Sequence, residues 1–185
     1  MNSKYYLPIC CGFILLANVA FGQSIFTKNG KTLFFSTTSV EDIKATNNQT
    51  ICLLNLQTGE LQFSILNKGF RFRKALMEEH FNENYIESNK YPKSTFKGTL
   101  LDIDKINFTK DGVYAVTAIG DLFIHGITQK VSAVGNMNIS KGLVTIISKF
   151  KIVLSDYNIS IPKTVLKNIS PNIEISINCN LDQKR

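Results

Sequence analysis

Read from residue 23 onward, the chain alternates between apolar and polar positions for most of its length. Leu61, Phe63 and Ile65 are separated by Gln62 and Ser64, the two-residue period of a strand with one buried face. Lys31–Ser36 and Gln49–Leu56 read as strands before it, with Thr58-Gly59 turning into Glu60–Asn67. The period then lengthens. Phe72, Leu76, Met77, His80 and Phe81 recur at three and four residues, predicting an amphipathic helix near Phe72–Tyr85. Strands resume at Thr95–Phe108, turn at Lys110-Asp111-Gly112, and continue as Val113–His125. A turn at Thr128-Gln129-Lys130 leads into Val131–Ile139, and Lys141-Gly142 leads into Leu143–Leu154. Pro162 opens a short helical segment, Lys163–Ile169. The final strand sets Ile173, Ile175, Ile177, Cys179 and Leu181 against Glu174, Ser176, Asn178 and Asn180.

These elements describe a mainly β domain. About eight antiparallel strands follow one another through short turns, with one amphipathic helix and one short helical segment. Long strands with a single apolar face favour closure, and the expected architecture is a single extended eight-stranded antiparallel β-barrel, lipocalin-like. Composition agrees. Ile, Val and Thr make up 45 of the 185 residues against seven Ala, a balance that suits pleated strands better than helices.

The amino terminus departs from this pattern. Lys4 precedes an apolar run from Tyr5 to Phe21, and Ala20-Phe21-Gly22 supplies small residues before a cut. This predicts a signal peptide over 1–22, a barrel domain over 23–185, and a periplasmic or secreted mature protein with no stable membrane span. Loss of Lys4 with that segment lowers the formal charge from +7 to +6. Two cysteines remain, Cys52 and Cys179, and in an oxidising compartment they are candidates for a disulfide; two small buried hydrophobes is the other reading.

Catalytic signatures are missing from the sequence. Only His80 and His125 are present, Glu78-Glu79-His80 has no second histidine at helical spacing, and no phosphate loop, dinucleotide fingerprint or G-x-S-x-G stretch occurs. The expectation is therefore no enzyme, no cofactor and no metal. The cluster Arg71, Arg73 and Lys74 reads either as a solvated surface that aids solubility or as a basic rim suited to a polar or anionic headgroup. It does not indicate nucleic acid, since no aromatic-basic module accompanies it.

One segment carries a family resemblance. It contains Phe70, then Leu76-Met77-Glu78-Glu79-His80-Phe81-Asn82-Glu83-Asn84-Tyr85, then Lys90-Tyr91-Pro92-Lys93 and Phe96-Lys97-Gly98. Together with Gly120-Asp121-Leu122-Phe123-Ile124-His125-Gly126-Ile127-Thr128 and the later Phe150, Asp156-Tyr157 and Ile161-Pro162, it resembles the YceI-like family of secreted bacterial lipid-binding proteins. The lipocalins proper fit less well, because their G-x-W start needs a Trp and this chain has none. The resemblance implies an eight-stranded barrel whose interior holds a long isoprenoid chain. Its expected partner is thus a long apolar small molecule, isoprenoid, quinone or fatty-acid-like. A homodimer is left open.

The apolar-face positions expected to line such a tunnel are Phe63, Ile65, Phe96, Leu100, Val116, Leu122, Ile146, Phe150 and Ile152, with Leu76, Met77 and Phe81 from the helix closing one end. His80 and His125, which the resemblance covers, are candidates for a polar contact with the headgroup or for local hydrogen bonds that fix the helix and a turn. An enzyme working on lipid in the same tunnel, and an envelope module with a filled core, are the competing readings.

Overall fold

The computed structural model describes residues 24–184, so the expected signal peptide lies outside the described residues. Ten strands appear in chain order: β1 (Ser24–Thr37), β2 (Asp42–Asn55), β3 (Glu60–Leu66), β4 (Arg71–Phe72), β5 (Lys93–Leu100), β6 (Gly112–Ile124), β7 (Ile127–Ser140), β8 (Leu143–Val153), β9 (Asn172–Leu181) and β10 (Gln183–Lys184). Eight of them are long, and neighbours run antiparallel in the order β1-β9-β8-β7-β6-β5-β3-β2. The additional pairing of β1 with β2 closes this sheet into the expected eight-stranded barrel. Closure leaves no long edge strand unpaired. The two-residue strands β4 and β10 extend β2 and β1.

Several boundaries differ from the sequence pattern: β1 and β2 begin at Ser24 and Asp42, earlier than the expected Lys31 and Gln49, and the segment expected as helical over Lys163–Ile169 is a 3-10 turn over Lys163–Val165. Three further differences have a local reason. The strand expected to reach Phe108 ends at Leu100, because Asp102 takes a left-handed conformation (φ 55°) and a 3-10 turn covers Ile103–Lys105. Ile103, Ile106 and Phe108 instead fold back against the core. The turn expected at 128–130 lies at His125-Gly126, both at positive φ, so Ile124 pairs directly with Ile127. Positive φ at both central positions is the demand of a tight hairpin turn, which Gly meets readily and His does not.

The third difference concerns the helix. α1 spans Ala75–His80 and continues as a wider π turn over Phe81–Tyr85. It begins three residues later than its apolar period suggests, because Arg71 and Phe72 pair with Thr46 and Ala45 of β2. The Glu78 carboxylate reinforces this arrangement. It accepts from the Phe72 backbone N–H (3.2 Å) and from Arg71 (2.9 Å).

The barrel has two ends of different character. At one end Leu54, Met137, Ile139, Val144, Cys179 and Leu181 are all 4% exposed or less and fill the interior. At the other, the β1–β2 turn, α1, the β6–β7 turn and the 154–171 segment stand around an opening. None of the described helices is long and apolar enough to cross a membrane.

Candidate ligand-binding cavity

The inward residues of β7 reveal the space inside. Toward the packed end Met137 and Ile139 are buried, as inward strand residues should be. Farther along, Val131, Ala133 and Gly135 point the same way yet stay half-buried. Their accessible surface faces a cavity of about 310 Å³ inside the barrel. Ala118 of β6 pairs with Ala133, and Gly135 pairs with Ser148 of β8, so small residues meet across neighbouring strands where the cavity is wide.

Of the residues expected in the lining, Phe63, Ile65, Met77, Phe81, Phe96, Leu100, Val116, Leu122, Ile146, Phe150 and Ile152 all border this cavity. Leu76 does not. It is 60% exposed and lies outside the lining, because the short helix turns only Met77, His80 and Phe81 toward the barrel mouth. Sequence reasoning missed the aromatic group at that mouth. Phe34 stacks on Phe81 (5.5 Å between ring centroids), and Phe70 and Phe72 approach Phe81 at 5.6 and 5.2 Å. Aromatic pairs in tilted and offset geometry hold well beyond their area burial, so this group fastens α1 to β1 and β4. Phe34 and Phe72 sit in runs where both neighbours are bulky or basic, which hid their inward direction; the only signal was the strand period of β1. Ile173, Ile175 and Ile177 also line the cavity, and their clean alternation could have placed them.

Most polar side chains of the lining are engaged by the protein itself, Thr95, Tyr85 and His80 being the exceptions. Thr32 and Thr50 hydroxyls bond at 2.7 Å, Asn67 donates to the Tyr91 carbonyl and accepts from Ser94, and Ser148 donates to the Val134 carbonyl. Ser36 accepts from the Ser170 backbone N–H. An interior that is largely apolar and whose polar groups are mostly satisfied favours apolar guests.

Glu41 stands at the mouth as a three-way tie. Its carboxylate accepts from Lys74 beside α1 (2.9 Å) and from Asn168 on the far rim (3.1 Å). These two bonds, Lys74 first, hold its pKa below the ordinary glutamate value of 4.5. Arg71 is held by Glu78, and Arg73 is exposed. His80 is exposed and borders the mouth.

His125 lies elsewhere. Its side chain is only 12% exposed, and both ring nitrogens face acceptors: Nδ1 the Tyr157 carbonyl at 3.0 Å, Nε2 the Glu87 carboxylate at 2.7 Å. Tyr91 packs edge-on against the ring at 4.8 Å. His125 thus ties the β6–β7 turn to two flanking segments and lies outside the cavity lining. Cys52 and Cys179 are buried at the packed end, outside the cavity.

The YceI-like domain model matches residues 22–181. No curated protein matches the chain. Among solved structures, a polyisoprenoid-binding domain from Saccharophagus degradans is similar with a TM-score of 0.69 at 14% identity, over 86% of this chain and 97% of that one. BcnA of Burkholderia cenocepacia gives 0.67 at 13% identity, over 82% and 95%. The YceI protein of Campylobacter jejuni gives 0.53 at 16% identity, over 98% and 100%.

Proposed function

We propose that this chain, which belongs to the YceI-like domain family, is a secreted or periplasmic carrier that holds one long apolar molecule inside its barrel. The observation that supports this most directly is the half-buried inner face of β7 at Val131, Ala133 and Gly135, which leaves an apolar cavity open at the helix end. Each CH₂ moved from water into such a space is worth roughly 0.8 kcal/mol, so a polyisoprenoid, quinone tail or fatty-acyl chain gains affinity from length alone. A rigid polar ligand would find few free partners in this lining.

Binding here needs no covalent step, and the proposed role is carriage or sequestration. The exposed Arg73 and His80, the latter bordering the mouth, are the groups proposed to meet a polar or anionic head, since the neighbouring cations Arg71 and Lys74 are already bonded to carboxylates. Met77 beside them is flexible enough to follow guests of different shape.

The test is native mass spectrometry of the purified protein, followed by incubation with polyprenols, ubiquinones and long fatty acids. A bound lipid at one per chain, or uptake of one class with affinity rising with chain length, is the expected result. Failure to take up any of the three classes by a folded protein would overturn the reading.

A further inference from the structure

The packed end of the barrel contains a pair of thiols that the cavity does not use. Cys52 lies on β2 and Cys179 on β9, the two strands that flank β1. Strands separated by a third are normally too far apart for a disulfide. Here β1 is irregular. Its register with β2 shifts on both sides of Gly30, and the two residues before it, Lys28 and Asn29, are both exposed, the mark of a bulge.

Gly30 is the residue of β1 against which the Cys179 sulfur lies. A Cβ at that position would come within 2.4 Å of Cys179 Sγ and 2.9 Å of the Thr50 carbonyl. The missing side chain is what allows Cys179 to reach over β1. Both cysteines are 0% exposed. Burial, and then contact with the Cys179 thiol, raise the Cys52 pKa well above its ordinary value.

We propose that Cys52 and Cys179 form a structural disulfide that clamps β2 to β9 across the bulge of β1 and seals the closed end of the barrel. The reaction is thiol–disulfide exchange. The two protein thiols lose two protons and two electrons, and the disulfide of an external oxidant, a small-molecule disulfide such as glutathione disulfide or a disulfide-carrying oxidoreductase, is reduced to two thiols. Exchange takes place during folding, before the sulfurs are enclosed; afterwards the same burial shields the bond from reductants. The bond closes a loop of roughly 130 residues, so it restricts the unfolded chain strongly.

The test begins with the full chain, denatured and refolded in a mixture of glutathione and glutathione disulfide. It is then unfolded again without reductant and treated with an alkylating reagent. We expect no alkylation at Cys52 or Cys179, an intact mass two hydrogens below the dithiol, and one peptide cross-linked between them. Reduction under denaturing conditions, followed by refolding without oxidant, should lower Tm by about 10 °C. The Cys52→Ala/Cys179→Ala double variant should melt like the reduced protein and be indifferent to reductant. Alkylation of both thiols once the refolded protein is unfolded without reductant would overturn the proposal, as would an equal Tm for the protein refolded with oxidant and the protein refolded after reduction. Lipid uptake is read separately, so loss of the bond and loss of the carrier function are distinguishable.

Discussion

Replacing Ala133 with Phe tests the hollow interior directly. The Ala133 side chain faces the cavity from β7 and has Ala118 as its cross-strand partner, so the added ring enters open space and does not press on a packed core. The ring adds six carbons where a ligand chain would otherwise lie. If each displaced carbon forfeits about 0.8 kcal/mol, the loss approaches about 5 kcal/mol, or more than a thousandfold in Kd. Some displaced chain will find other space, and a weakening of at least about a hundredfold is the expected outcome. Ser132→Phe is the control, because Ser132 points outward on the same strand and receives the same ring. Titration with a fluorescent polyene fatty acid, with Tm measured on each variant, reads both quantities. Tm should stay within a few degrees for Ala133→Phe, since a cavity is filled and none is created. The reasoning is refuted if folded Ala133→Phe binds the probe as wild type does, or if Ser132→Phe weakens binding equally.

Three further outcomes follow from the rim. His125→Ala leaves the Tyr157 carbonyl and the Glu87 carboxylate without their partner; this should cost about 1–3 kcal/mol, seen in denaturant melts, while probe affinity changes little. Glu41→Gln removes the charge that ties Lys74 and Asn168 together, and stopped-flow release of the probe should quicken several-fold. Because the Glu41 pKa is depressed in the folded state, its contribution is fully present above about pH 4.5 and is lost as pH falls below that value; wild-type release should accelerate there, whereas release from Glu41→Gln should not. Burial, with the Asp156 charge adding, pushes the Tyr157 phenol up to about 12, so its stabilising effect is intact below pH 10 and disappears between pH 10 and about 12. Alkaline melts should show that loss, and Tyr157→Phe should remove this part of the alkaline transition.

The strand period carried most of the barrel. Where one face is apolar and the other polar, as in β8 and β9, direction and extent follow from alternation alone, and the inward residues Ile146, Phe150 and Ile152 were legible. The period fails where side chains do something other than face in or out. Ile103, Ile106 and Phe108 continue an apparent strand in sequence but fold over the closed end after Asp102 turns left-handed. His125 reads as a strand residue, but it occupies a left-handed turn position in which both ring nitrogens and the Tyr91 ring hold it. Leu76 reads as part of an apolar helix face, but a helix of six residues and one π turn, lying across a mouth, has a partner for only part of that face. What alternation could not reveal is emptiness. Inward-facing Val131 and Ala133 have the same pattern whether they meet other side chains or a cavity.

A barrel with a hollow upper half must find its stability elsewhere, and the division of labour along the strands shows where. Packing is concentrated at the closed end, where Leu54, Met137, Cys52 and Cys179 are fully buried. The open end gives up that packing to keep its cavity, and its segments are joined around the circumference by polar ties: Glu41 to Lys74 and Asn168, Ser36 to Ser170, His125 to Glu87 and Tyr157. Net contributions of single hydrogen bonds are about 1 kcal/mol, small beside a packed core, so each tie can break and re-form without unfolding the barrel. Strength at the sealed end and weak, separable ties at the mouth are what a carrier requires, since a guest must enter and leave through the one without loosening the other.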